Sequence, residues 1–155
     1  MKKITFGLFL GTILVGCSGP KYTATPISES NQSAEVTIVE HPPTRSVFLD
    51  NMLRWCMDEG KKCKVVKPNT TPDPSELTLT YISRWSWDIR TFVADAKIKA
   101  YRNDAQVGEV EFKAPNHLKL SKYGDDNKRI RAMMDILFGR ITVSEAQQKL
   151  SSGEY

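Results

Sequence analysis

Three cysteines, two histidines and one tryptophan-bearing pentapeptide are the side chains here with most chemistry to offer. A thiol can be acylated, cross-linked or used as a metal ligand, and compartment and spacing decide which. Cys17 stands at the end of an apolar run, whereas Cys56 and Cys63 flank a polar stretch containing Gly60, Lys61 and Lys62. Arg84-Trp85-Ser86-Trp87-Asp88 sets two indoles among a cation and an anion, a combination that stacks on sugars or anchors a protein partner. Trp85 and Trp87 share side-chain parity with Leu77 and Leu79, so a core role competes with binding. His41 and His117 adjoin loop-forming Pro42 and Asn116 and read as ordinary exposed side chains. Asp125 and Asp126 look like helix-start residues, and Asp73, Asp88 and Asp135 have no partner visible in chain order. There is no phosphate-binding glycine loop, metal-spaced histidine set or G-x-S-x-G elbow. These readings predict a protein that is not an enzyme, with no metal and no cofactor.

The N-terminus is more specific. Met1-Lys2-Lys3 gives a positive start, Ile4 to Val15 is uncharged, and small Gly16 precedes Cys17, which is the pattern of a secretory signal peptide over residues 1–16. The run is shorter than the roughly 20 apolar residues that span a bilayer. Leu14-Val15-Gly16-Cys17 resembles the lipobox of bacterial lipoproteins, leucine-small-small-cysteine. That resemblance implies a diacylglyceryl thioether on Cys17, removal of the preceding peptide and acylation of the new amino terminus, palmitate being a typical chain. It also implies sorting: Ser18 is similar to the residue that follows the cysteine in lipoproteins released to the outer membrane. The expected location is the outer membrane, lipid-anchored and facing the periplasm. Several acyl chains make such attachment effectively permanent, where one alone binds marginally.

With Cys17 acylated, Cys56 and Cys63 remain as a pair in an oxidising compartment, and a disulfide is expected. Gly60 with its neighbouring lysines supplies the chain reversal that brings the two together. Two cysteines without nearby histidines make a poor zinc site, and the spacing is not that of a redox C-x-x-C. The formal charge of +4 includes Lys2 and Lys3, which leave with the leader, so the remaining excess is too small to argue for nucleic acid. A chain of 155 residues has room for one domain with one core.

Residues 17–34 are rich in Ser, Thr, Pro, Gly and Asn and read as the lipidated N-terminus and a flexible tether, leaving 35–155 as a single domain. Val36 to Val39 should form the first strand, ended by His41-Pro42-Pro43. A helix capped by Thr44 or Ser46 follows, carrying Phe48, Met52, Leu53 and Cys56 to a stop at Gly60. Lys64 to Lys67 makes a short strand.

Side-chain parity then specifies a meander. Leu77, Leu79, Tyr81, Trp85 and Trp87 face one way, and Phe92, Ala94, Ala96, Ile98 and Ala100 share a face in the next strand. An even turn, Ile89-Arg90, would pair Trp87 with Phe92, Tyr81 with Ile98 and Arg84 with Asp95. An odd turn at Asn103-Asp104-Ala105 would pair Ile98 with Val110, Ala96 with Phe112, Lys99 with Glu109 and Lys97 with Glu111. A second helix carries Ile130, Met133, Met134, Leu137 and Phe138 to Gly139, and Ser144 with Gln147 suggests a capping box for a short last helix, Glu145 to Leu150.

The predicted fold class is α+β: a two-layer sandwich with a mainly antiparallel sheet and both main helices on one face. The arrangement, with its string TYISRWSWDIRTFVADAKIKAY, resembles small bacterial lipoproteins, a likeness that carries no functional residues. The expected role is a non-enzymatic, membrane-anchored binding or assembly-support protein with an envelope protein as partner. The alternative is a glycan- or lipid-binding domain using Trp85 and Trp87, with Arg84 and Asp88 beside them.

Overall fold

The computed structural model describes residues 21–115 and 120–155; the leader, Cys17, Ser18 and His117 lie outside the described residues. Among the described residues six strands form one sheet: β1 (Lys21–Thr25), β2 (Glu35–Val39), β3 (Lys62–Val66), β4 (Leu77–Trp87), β5 (Thr91–Arg102) and β6 (Ala105–Lys113). Their order is β1-β6-β5-β4-β2-β3. The β4–β5–β6 meander and β1 are antiparallel, while β2 runs parallel to both β3 and β4. Among the described residues three α-helices complete the α+β sandwich: α1 (Ser46–Asp58), α2 (Asp126–Leu137) and α3 (Val143–Ser152).

Burial alternates along the meander as a one-sided sheet requires. Leu79, Tyr81, Ala96, Ile98, Ala100, Val110 and Phe112 are buried, whereas Ile82, Arg84, Lys97, Lys99, Glu109 and Glu111 between them keep solvent access. Against the buried face pack Phe48, Met52 and Trp55 of α1 and Ile130, Met133, Met134 and Leu137 of α2. Each such side chain contributes about 1.5–3 kcal/mol when fully buried, so this layer contact is the main source of stability. α1 is the crossover of a β2-α1-β3 unit, and the Cys56–Cys63 disulfide closes its far end, with Cα atoms 6.1 Å apart. Gly60, at φ 64°, permits the reversal that returns the chain, and Lys61 N–H donates to the Cys56 carbonyl at 2.8 Å.

The supposed tether is part of the domain. Lys21–Thr25 forms β1, paired along its whole length with β6, and Tyr22 and Ile27 are 4% and 2% exposed. Ile27 N–H donates to the Leu137 carbonyl at 2.8 Å, and Gln32 Nε2 donates to the Phe138 carbonyl at 3.0 Å. The boundary at residue 35 is therefore corrected: residues 21–34 belong to the domain.

The meander registers combine agreement with two local slips. Tyr81 pairs with Ile98 and Arg84 with Asp95 as parity predicts, but Trp87 pairs with Thr91, not Phe92. Ala94 is an extra residue on β5 between the pairs Arg84–Asp95 and Trp85–Val93, a bulge that compensates for a three-residue turn, Asp88-Ile89-Arg90. The second hairpin works the same way. Its turn has two residues, Asn103 and Asp104, both at positive φ (50° and 60°), as a type I′ turn demands. Val107 is then the extra residue, and Ile98–Val110, Ala96–Phe112, Lys97–Glu111 and Lys99–Glu109 pair as expected.

Helix starts also differ in detail. α1 has no side-chain cap, because Thr44 is buried and its Oγ1 accepts the Ser83 N–H at 3.1 Å. Asp125 caps α2. The capping box of α3 is Thr142 with Glu145, two residues earlier than the Ser144–Gln147 pair.

Candidate binding surface at the hairpin end

The Arg84–Asp88 segment lies where β4 runs into the turn to β5, and the structure gives its members different fates. Arg84 Nε donates to Asp95 Oδ2 at 2.7 Å across the open sheet face. Trp85 is half-buried, donates its indole N–H to Ser83 Oγ at 2.9 Å and has the Arg45 guanidinium 5.0 Å from its ring centroid. Trp87 is 75% exposed, as is Ile89 in the turn. A shared core role for the two indoles is thus corrected: Trp85 packs partly buried against the core, whereas Trp87 stands exposed at the end of β4.

Asp88, which had no partner in chain order, forms an ion pair with Lys122 of the 3-10 turn Leu120–Tyr123. The Lys122 ammonium holds the Asp88 carboxyl below its ordinary value, and Asp88 in turn raises Lys122. Lys122 is 7% exposed and lies 4.9 Å from the Tyr123 ring centroid and 5.5 Å from that of Phe92. Such cation–π contacts contribute about 0.5–2 kcal/mol, more where desolvated, and here fix the turn to the segment before α2. Phe92 and Tyr123 meet edge to face at 5.7 Å.

Below this point the start of α2 is locked by charge. Asp126 accepts the Val93 N–H at 3.2 Å and an Arg129 N–H at 2.8 Å. Burial raises its carboxyl pKa despite both donors. Arg129, 3% exposed, also donates to the Ser121 carbonyl at 2.7 Å and stands 5.2 Å from the Phe112 ring centroid. Beside it runs a cleft of about 870 Å³ with Lys21, Tyr22, Leu120, Arg129 and Leu150 among its lining residues. Burial raises the Tyr22 hydroxyl pKa.

Several other titratable groups make structural contacts. His41 Nδ1 and Thr44 Oγ1 share a hydrogen bond at 2.8 Å. Asp135 accepts from Trp55 Nε1 and from the Tyr155 hydroxyl inside the helix layer. Lys61 donates to the Ser33 carbonyl, Lys62 pairs with Glu35 and Lys64 with Glu76, so the basic cluster beside the disulfide is held by its own neighbours. Among the described residues no group of three or more His, Cys, Asp or Glu is placed to hold a metal ion. No helix among them is long and apolar enough to cross a membrane.

No family model matches the chain, and no curated protein matches it either. Among solved structures the chain has a weak likeness to a minor lipoprotein from Acinetobacter baumannii, with 6% identity and a TM-score of 0.30 over 78% of this chain and 92% of that chain.

Proposed function

We propose that the chain is an outer-membrane lipoprotein, held by acylated Cys17 and facing the periplasm, whose domain is a non-enzymatic binding or assembly-support module for another envelope protein. The anchor rests on Leu14-Val15-Gly16-Cys17 and its leader. The Cys56–Cys63 bridge fits an oxidising compartment.

The observation that carries the binding role is the open sheet face. Arg84–Asp95, Lys97–Glu111 and Lys99–Glu109 form a ladder of opposite charges across β4, β5 and β6, with Ile82 54% exposed beside it. Exposed pairs of this kind stabilise a fold little, about 0–1 kcal/mol each, but their ordered alternation gives a partner a specific pattern to complement. Affinity capture from cross-linked envelopes tests the role. The native chain should retain a specific protein that a Lys97→Glu, Lys99→Glu variant loses; capture of nothing, with glycan binding by the purified domain, overturns it. Mass measurement of the mature N-terminal peptide tests the anchor, which an unmodified Cys17 would refute.

The alternative, glycan or lipid binding through Trp85 and Trp87, is favoured by one fact, the exposure of Trp87. Trp85, half-buried beneath Arg45, offers little free ring.

A further inference from the structure

We infer that the end of the domain bearing Lys21, Trp87, Ile89 and Leu120 rests on the anionic phospholipid surface in which Cys17 is anchored; this depends on the lipid-anchor reading. Its basis is the short distance between anchor and fold. Only Ser18, Gly19 and Pro20 separate Cys17 from β1, and a fully extended chain from Cys17 to Lys21 reaches at most about 14 Å. The domain cannot stand away from the bilayer.

The sheet register says which end faces it. Lys21 pairs with Lys113, Lys113 with Asp95 and Asp95 with Arg84, so the start of β1 is level with Arg84 on β4. From there β4 continues three residues to Trp87, roughly 10 Å further along the strand direction. A linker of about 14 Å leaving Lys21 on that side therefore brings the lipid surface to the β4–β5 turn. The Asp88–Lys122 ion pair brings the 3-10 turn that starts at Leu120 to the same end.

Three of the most exposed large apolar side chains of the described residues gather here: Trp87 and Ile89 at 75% and Leu120 at 79%. Single exposed apolar residues are ordinary, but an indole with two aliphatic neighbours suits the headgroup boundary, where tryptophan is enriched. Lys21, Arg90 and Lys113 are exposed at the same end, whereas Asp88 is paired with Lys122 and Asp125 accepts helix N–H groups. Cations so near an anionic surface lie within its roughly 8–10 Å screening length.

The test uses the full lipidated chain in phosphatidylethanolamine–phosphatidylglycerol vesicles carrying brominated acyl chains, which quench nearby indoles. Native protein should be quenched, Trp87→Phe should lose most of that quenching, and Ile89→Asp with Leu120→Asp should weaken it. A twelve-residue Gly-Ser insert between Pro20 and Lys21 should weaken it as well. Quenching unchanged by Trp87→Phe, or absent while the mass of the N-terminal peptide proves acylation, overturns the inference alone. An unacylated Cys17 overturns the anchor reading and this inference with it.

Discussion

The indole N–H of Trp55 donates to Asp135 Oδ1 at 2.7 Å, joining α1 to α2 in the middle of the helix layer. Asp135 Oδ2 accepts from the Tyr155 hydroxyl at 2.6 Å, so one carboxylate, 8% exposed, ties both α1 and Tyr155 to α2. Burial and this carboxylate together raise the Tyr155 hydroxyl pKa. A buried acceptor robbed of its donor costs about 1–3 kcal/mol. Trp55→Phe should destabilise the domain by at least that much, since the 0% exposed indole also leaves a void. Urea unfolding should show Trp55→Phe and Asp135→Asn costing less together than the sum of the two, because each removes part of the same bond.

The disulfide makes a second prediction. Cys56 and Cys63, seven positions apart, close a small loop, for which the chain-entropy relation gives about 2.5 kcal/mol of stabilisation. The unreduced mature domain should show no titratable thiol. Replacing both by alanine should lower the urea midpoint by a corresponding amount, with the fold retained because Trp55, Met52 and Phe48 still hold α1 on the sheet.

Which features were legible from sequence follows from how far each signal travels. Alternation of Leu77, Leu79 and Tyr81 against Ala96, Ile98 and Ala100 identifies the buried face and the register midway along the strands. Toward the turn it fails, because a three-residue turn with one bulge has the same parity as a two-residue turn without one. Only the backbone distinguishes them, and that choice decides whether Trp87 lies opposite Thr91 or Phe92. β1 was hidden for another reason: its inward residues are just Tyr22 and Ala24, set among Thr and Pro, and its strand character comes from β6. Asp135 and Asp88 find partners 80 and 34 residues away, separations that no local pattern encodes.

Acid should weaken the fold, with a sign set by five carboxyls held below their ordinary values. Glu76 is held below its ordinary 4.5 by Lys64 and then Thr37, Glu111 by Lys97, and Glu145 by the Thr142 backbone N–H, while Ser75 holds Asp73 and Lys122 holds Asp88 below the ordinary 3.8. A depressed folded pKa contributes stability that is complete above the ordinary value and is lost as pH falls through the depressed one. Asp126 runs the other way: burial raises it above 3.8, so its ionised form opposes folding and protonation relieves that penalty. With five depressed groups against one raised, the melting temperature should fall between about pH 5 and pH 3. Glu145→Gln should flatten part of this decline, and Asp126→Asn should steepen it; the opposite responses would refute the assignment.

The domain boundary can be tested by truncation. A chain starting at Glu35 would lose β1, Tyr22 and Ile27, and two side chains of that size contribute about 3–6 kcal/mol by burial, before counting the β6 edge laid open. Such a chain should aggregate or unfold without cooperativity, whereas one starting at Lys21 should melt as a single unit. Gly108 probes the same packing within the intact chain. A Cβ placed there would lie 2.7 Å from Ile27 Cγ1 and 3.2 Å from Leu137 Cδ1, so Gly108→Ala should cost about 1–3 kcal/mol as overpacking. If Ile27 is the main obstacle, the cost of Gly108→Ala should shrink in an Ile27→Ala background, because the shortest contact is gone. It should not vanish: the Ile27 backbone nitrogen, 3.3 Å from the added carbon, is held by its hydrogen bond to Leu137 and cannot retreat freely. Equal cost in both backgrounds would clear the Ile27 side chain and leave Leu137 and the Ile27 backbone as the obstacles, whereas a negligible cost in both would mean that residues 21–34 do not pack on β6 in solution, and would restore the tether.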